Sequence, residues 1–277
     1  MKTNTFVIQN RNDELSLIDY LSVKLNISRK KTKSIIDSRD VFVNRRRIWM
    51  ARHQLRLGDI IEIIHTPVSI NQNAIPRALF DNDSYLIINK PAGILSNGPD
   101  SVESRLRAQL NLPALTAVHR LDRDTSGCLL LAKTESAATK AISLFRNRKI
   151  KKNYHAIVRG EFRWKNYTIA IPIENRPAVT HIKTLDSNKT ASLLVVHTDS
   201  GRTHQIRKHL LAVQHPVMGD RHYGTRFRES DKTLYVPRQM LHSSNIFFCD
   251  PETNCPIRAT APLPNDFRYC LKLFKLR

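Results

Sequence analysis

The chain is short of acid. Its 277 residues hold Asp+Glu 24 against Lys+Arg 45, a formal net charge of +21. A balance so far from neutral points to a polyanionic partner. Cysteine is also scarce, at four residues. Cys128, Cys249, Cys255 and Cys270 make no CxxC pair, and Cys249 and Cys255 are too widely spaced for a usual zinc knuckle. Reduced thiols, buried or partly buried, are expected, rather than a disulfide frame or a metal site. No apolar run is long enough to cross a membrane, no basic start leads into an apolar signal segment, and no lipidation motif occurs. An acidic membrane surface would attract the charge as well. Without an anchor, nucleic acid is the expected partner and the cytosol the expected compartment. No internal repeat or low-complexity tract breaks the chain.

Several enzyme signatures are missing too. There is no G-x-S-x-G elbow of a serine hydrolase and no G-x-x-x-x-G-K-[ST] phosphate loop. Asp124-Thr125-Ser126-Gly127 approaches the Asp-Thr-Gly of aspartic proteases, but those need two facing carboxylates, and this chain carries one copy. His204, His209 and His215 fit no zinc spacing. Neither metal nor cofactor is expected.

What is present is an apolar content of 41%, enough for a sizeable core. The length suits one large domain, or a main domain with a small appendage. The densest chemistry lies in His119-Arg120-Leu121-Asp122-Arg123-Asp124-Thr125-Ser126-Gly127, just before the apolar run Cys128 to Ala132. That run reads as a buried strand, with Ser126-Gly127 as the turn feeding it. Charge so concentrated at the mouth of a sheet suits a site of shifted pKa values better than packing does.

Upstream, Leu15, Ile18, Leu21 and Leu25 recur at helical spacing over Glu14 to Leu25. Ser28 caps a second helix running to about Asp37, its polar side bearing Arg29, Lys30, Lys31 and Lys33. Val41-Phe42-Val43, a turn at Asn44, the run Arg45-Arg46-Arg47-Ile48, and a strand over Ile60 to Ile64 complete a compact module with one basic face. Residues 67–76 read as a linker. Beyond it, strands are expected at Tyr85 to Asn89, Tyr154 to Val158 and Ser192 to His197, and late strand segments at Leu241-His242 and Ile246 to Phe248. Ser136 to Phe145 is an amphipathic helix with Ala138, Ala141, Ile142 and Phe145 inward. The basic run Arg146 to Lys152 after it is a candidate for phosphate contact. Gly201 to Leu210 is a loop opening a helix, with Gly201 or Thr203 as its cap and His204 and Arg207 on one face. Strands and helices mix without a βαβ rhythm. The expected class is therefore α+β, a mixed or antiparallel sheet domain with a small N-terminal α/β module.

The N-terminal order of residues resembles an S4 RNA-binding domain, with Leu21, Ser28-Arg29, Lys33, Ile36, Val41-x-Val43-Asn44 and Gly58-Asp59-x-Ile61 carrying the likeness. Further on, His119-Arg120-Leu121-Asp122-x-x-Thr125-Ser126-Gly127 resembles the signature of the RluA-type pseudouridine synthases. In the same order come Asn89-Lys90-Pro91-x-Gly93, Lys152-x-Tyr154-x-Ala156 and Gly201-Arg202-Thr203-His204-Gln205-Ile206-Arg207-x-His209. They are followed by Pro216-x-x-Gly219-Asp220-x-x-Tyr223-Gly224, Leu241-His242 and Ala261-Pro262-Leu263-Pro264. The ordered set covers nearly all of 80–267. It divides the chain into an S4-like domain at 1–66, a linker, and a catalytic domain at 77–277.

The resemblance implies isomerisation of uridine to pseudouridine in structured RNA, by base flipping and without a cofactor. It makes Asp122 the essential carboxylate, ionised and acting at the ribose as nucleophile or base. It makes Arg207 the salt-bridge partner of Asp122, with a guanidinium fork suited to a carboxylate. Tyr154 is implied to stack on the target base and to help move the C5 proton. Arg120 is implied to enter the space the flipped nucleotide leaves. His119, Lys90, Arg202 and His204, with Arg29, Lys30, Lys33 and Arg45 of the module, are the remaining candidates for contact with RNA. Ribosomal RNA is favoured over transfer RNA, and a monomer is expected. A non-catalytic RNA-binding or ribosome-assembly factor on the same fold stays open as the alternative.

Overall fold

The computed structural model describes residues 2–10, 15–37, 41–44, 46–48, 50–65, 76–224 and 236–277. Arg45 and residues 67–75 of the expected linker lie outside them. The chain forms two compact units.

The first is built on the described residues up to 65, with Val236 and Pro237. It holds β1 (Lys2–Val7), α1 (Leu17–Lys24), α2 (Arg29–Asp37), β2 (Val41–Val43), β3 (Arg46–Arg47) and β4 (Ile60–His65). The strands pair antiparallel in the order β1-β4-β2-β3. Leu17, Leu21, Ile36, Val41, Val43, Ile61 and Ile63 form its core. β1 was not anticipated: it is a strand because Phe6 and Val7 pair with Ile61 and Ile60 of β4, a partner far along the chain. α1 starts at Leu17, later than expected, since the Ser16 hydroxyl accepts the Asp19 N–H and so ends the helix there; Glu14, the expected start, lies outside the described residues. Leu15, expected on the apolar face, is exposed before that cap. Ser28 accepts the Lys31 N–H at the start of α2. Asn44 takes a φ of 49° at the tight turn that sets Val43 opposite Arg46.

The second unit carries a 10-stranded sheet among the described residues. Its elements are β5 (Ala78–Asp81), β6 (Tyr85–Lys90), α3 (Val102–Gln109), β7 (Thr116–Ala117), β8 (Ser126–Ala132), α4 (Glu135–Arg146) and β9 (Lys151–Arg159). They continue with β10 (Asn166–Ile169), β11 (Thr180–Ser187), β12 (Ala191–Thr198), α5 (Gln205–Ala212), β13 (Leu241–Cys249), β14 (Pro256–Thr260) and α6 (Asn265–Leu273). The order is β10-β11-β12-β9-β13-β8-β6-β5, with β14 on β13 and β7 on β8. The β8–β13 pair is parallel; the other described pairs of this sheet are antiparallel. The expected α+β class with a mixed sheet holds.

Every residue of β8 is buried. Leu129 and Leu131 face one core with Ile88, Tyr154, Ala156, Val196, Ile206 and Leu210, which α3 and α5 help to close. Cys128, Leu130 and Ala132 face a second core with Ile87, Ile246 and Phe248, covered by α4. A strand buried on both faces reads as a continuous apolar run, and this one does. In α4 the inward side chains are Ala137, Ala138, Ala141, Leu144 and Phe145. Ile142, expected inward, is exposed because the stripe centres one position earlier.

Ser126 and Gly127 are not a turn ahead of the strand. They already belong to β8 and pair with His242 and Ser243 of β13. The turn lies at Asp122 to Thr125, closed by the Thr125 N–H donating to the Asp122 carbonyl at 3.0 Å. The two late segments form one strand, β13. No described helix is long and apolar enough to cross a membrane.

Candidate active site

The turn at Asp122 is held from several sides. Ser96 clamps the residue before it: its hydroxyl accepts the Leu121 N–H and donates to the Leu121 carbonyl, each at 2.9 Å. Lys90, at the end of β6, is fully buried beneath. Its ammonium donates to the carbonyls of Pro91, Ile94 and Arg123 at 2.9, 2.8 and 3.2 Å. Those three bonds use all the donors of a charged amine, while burial pushes its pKa down to about 7. Lys90 was expected to contact RNA; the structure makes it instead a pin joining the two loops, with no N–H left for a phosphate.

Arg238 secures the other side. Its guanidinium is bidentate on Asp266, at 2.6 and 3.0 Å, and donates to the Asp124 carbonyl at 2.9 Å and the Ser126 hydroxyl at 3.1 Å. Ser126 in turn donates to His242 Nδ1 at 2.9 Å, and His242 Nε2 donates to the Ala261 carbonyl. Burial pushes the pKa of His242 down to about 4, so the ring is neutral at pH 7 and accepts that bond. Gln239 donates to the Thr125 hydroxyl at 2.7 Å and lies 3.5 Å from Asp122 Oδ2.

The four residues from His119 diverge. His119 points into the sheet, where Nε2 accepts the Leu130 N–H at 3.0 Å and the ring packs on Phe145. Burial and then the charge of Lys152 lower its pKa to about 3. That corrects the expected RNA contact: a neutral ring spent on a strand amide is scaffold. Arg120 is exposed, Leu121 is buried, and the Asp122 side chain is about 20% exposed.

Arg207 lies in the first turn of α5. Its Nη1 donates to Asp122 Oδ2 at 2.8 Å. The expected fork on Asp122 is not formed, because Nε and Nη2 grip Asp220 at 2.6 and 2.8 Å. Asp220 is buried and also accepts the N–H groups of His222 and Tyr223 at 3.0 and 3.1 Å. The Tyr223 ring lies 5.0 Å from the guanidinium carbon. Burial disfavours the Arg207 cation, yet the two carboxylates outweigh it and hold its pKa above the ordinary value. Burial would likewise raise Asp220; Arg207 and the backbone N–H groups prevail and lower it. The result is a buried row, Asp220–Arg207–Asp122, with the last carboxylate facing out.

α5 begins without a side-chain cap. Neither Gly201 nor Thr203 serves; the cap position is His204, with a φ of 56° and no side-chain cap bond. A non-glycine residue in that conformation is strained by about 1 kcal/mol or more. The strain turns the imidazole toward the site: Nε2 is 3.7 Å from Asp122 Oδ1 and Nδ1 is 3.0 Å from the Tyr223 hydroxyl. Burial sets the pKa of His204 below its usual value, against the pull of Asp122. Arg202 is half-buried, and its backbone N–H donates to Gln205 Oε1 at 3.1 Å. Tyr154, on β9, turns its ring into the first core and is 7% exposed. Burial and then the charge of Asp122 raise its phenol pKa, so it stays protonated at neutral pH.

The structure thus brings Asp122, Tyr154, Arg207 and His204 together, with Arg120 on the surface beside them. Arg29, Lys30 and Lys33 belong to the other unit, exposed on α2. Sequence reasoning missed the roles of Asp220, Arg238, Gln239 and Asp266. Asp220 and Tyr223 stood within a family segment. Arg238, Gln239 and Asp266 stood in none, and a buried bidentate pair has no signature in a linear sequence.

A partly exposed carboxylate with a fixed arginine and a protonated tyrosine is a site of few possible chemistries, and the comparisons name one. The sequence model of the RNA pseudouridylate synthase family matches residues 84–212. The ribosomal large subunit pseudouridine synthase C of Buchnera aphidicola from Acyrthosiphon pisum is 31% identical, over 88% of this chain and 90% of its own. That of Yersinia pestis is 31% identical over 98% and 97%. This chain belongs to the RluA-type RNA pseudouridine synthases. The solved structure of human RNA pseudouridylate synthase domain containing 4 superposes with a TM-score of 0.65 at 23% identity, over 77% of this chain and 99% of that one, and shows the same fold. As a member of the family, the protein isomerises uridine to pseudouridine in RNA.

Proposed function

We propose that the target is ribosomal RNA and that Asp122 performs the chemistry, with Arg207 and Tyr154 beside it. The observation that carries the site is the single contact from Arg207 to Asp122: it fixes one oxygen of the carboxylate and leaves the group partly open to solvent. Isomerisation breaks the C1′–N1 bond, turns the uracil, joins C1′ to C5, and moves a proton from C5 to N1. Electrons balance without a donor or acceptor. Asp122 acts at the ribose, as nucleophile or as base. Tyr154 offers its ring to the base and its protonated phenol as a partner in moving the C5 proton. His204 and Arg202 line the approach. Arg120 enters the gap left in the RNA stack.

The preference for ribosomal RNA over transfer RNA rests on the likeness to the ribosomal large subunit enzymes of Buchnera and Yersinia. The first unit serves as an S4-like RNA-binding domain, a reading supported by the exposed Arg29, Lys30 and Lys33 on α2. The working form is a monomer in the cytoplasm.

The test uses ribosomal RNA carrying tritium at uridine C5. The wild-type protein releases label; Asp122→Asn releases none and still binds the RNA within about twofold. Full release by Asp122→Asn would remove Asp122 from the chemistry. Release from transfer RNA alone would move the target.

A further inference from the structure

One surface aromatic has no part in the site just described. Trp164, in the loop between β9 and β10, is 47% exposed. It lines a cavity of about 610 Å³ together with Glu161, Arg163, Lys189 and His215. The ring is well braced. Tyr167 lies 4.8 Å from it at an interplanar angle of 33°, and Phe162 meets it edge-on at 5.2 Å. The backbone is fixed as well: the Phe162 N–H donates to the Ser192 hydroxyl at 2.8 Å, and Thr184 donates to the Trp164 carbonyl at 2.7 Å. His215 is set by its Nδ1 donating to the Arg159 carbonyl at 2.8 Å. The surroundings are basic. Arg163 and Lys189 line the cavity and Lys165 is exposed next to it; the acid present, Glu161, pairs with Arg163 at 3.5 Å.

We infer that this cavity is a second RNA subsite, in which an unpaired base of the substrate stacks on Trp164 while Arg163 and Lys189 take its flanking phosphates. A rigid indole offers any base a π-face, and cations beside it follow the backbone; this pairing is how proteins hold single strands without reading sequence. Bracing by Phe162 and Tyr167 means little order is lost on binding. The location suits a substrate already held at Asp122. Tyr154 and Gly160 share the line of β9, roughly 20 Å apart at about 3.3 Å per residue, a span that a few extended nucleotides cover. α5 links the same two places: Arg207 lies in its first turn and His215 just past its end. The inference rests on the protein acting on RNA, though not on the role of Asp122.

The test reads Trp164 directly. The chain has two tryptophans, Trp49 and Trp164, so Trp49→Phe leaves Trp164 as the sole reporter. Short single-stranded oligouridine should quench its fluorescence to saturation. Trp164→Ala should raise the Kd and KM for C5-tritiated ribosomal RNA by roughly tenfold, with kcat moving far less. Trp164→Phe should recover most of that loss. Arg163→Gln with Lys189→Gln, which spares the ring packing, should lower the salt dependence of binding by about one to two counterions. Absence of quenching, or unchanged Kd in all three variants, overturns the subsite. Label release by the wild type in the same assay keeps the synthase reading standing if the subsite fails.

Discussion

Arg207 is the residue on which the site's electrostatics turn. It faces two carboxylates, and they differ in kind. Asp220 is buried and fully bonded; Asp122 is partly exposed, with one oxygen held by Arg207. Asp220 therefore acts as a positioning residue: it fixes the guanidinium so that one N–H projects at Asp122. Asp220→Asn removes half the charge that keeps Arg207 buried. Breaking such a pair costs about 3–5 kcal/mol, read as a lower denaturation midpoint at unchanged m-value. A merely structural role would stop there. A positioning role lowers kcat at least tenfold in molecules that remain folded, with KM for RNA little changed, and Asp220→Glu regains part of it. Unchanged kcat in a folded Asp220→Asn protein would refute the positioning role.

At the scale of elements, the turn bearing Asp122 is set by the parallel contact of β8 with β13. Gly127 lies at that contact with a φ of +112°, and a Cβ there would sit 2.1 Å from the Ser243 carbonyl oxygen, on neighbouring backbone. No side chain can yield to relieve that overlap. Gly127→Ala should thus part the two strands locally, destabilise the protein by more than about 3 kcal/mol and abolish activity. Gly201→Ala, where a Cβ meets nothing within 4 Å, is the control and should leave stability within about 0.5 kcal/mol. Wild-type stability in Gly127→Ala would show that the strands separate freely. The start of α5 belongs to the same scale: an uncapped first turn places His204 and Arg207 on one carboxylate, although His204 is not part of the helix.

For the whole molecule the governing quantity is charge. A net +21 spread over two units makes binding to RNA strongly dependent on salt. The exposed cations of α2 are expected to supply part of that dependence. Arg29→Gln, Lys30→Gln and Lys33→Gln together, in the full-length chain, should reduce the slope of log K against log salt by about two to three, at roughly 0.7–0.9 per phosphate contact. Arg29 pairs with Asp19 at 2.5 Å, so its share is the smallest of the three. An unchanged slope would show that this helix face only solubilises the protein.

The linear sequence by itself determined the class of fold and the reaction. Its periodicities located β6, β8, β9, β12 and α4 because each buries a continuous or regularly spaced apolar face, and burial periodicity is a local property. The ordered segments around Asp122, Tyr154 and Arg207 named the family because each is a short, contiguous stretch whose residue order can be read without the fold. What only the tertiary structure decided was how they are held. β1 exists through a distant partner. Lys90 and His119, legible as charges, become buried supports once their loops close over them. The Asp220–Arg207 and Arg238–Asp266 pairs join residues 13 and 28 positions apart across a folded interior. Such contacts depend on the path of the whole chain, and no spacing within a segment encodes them.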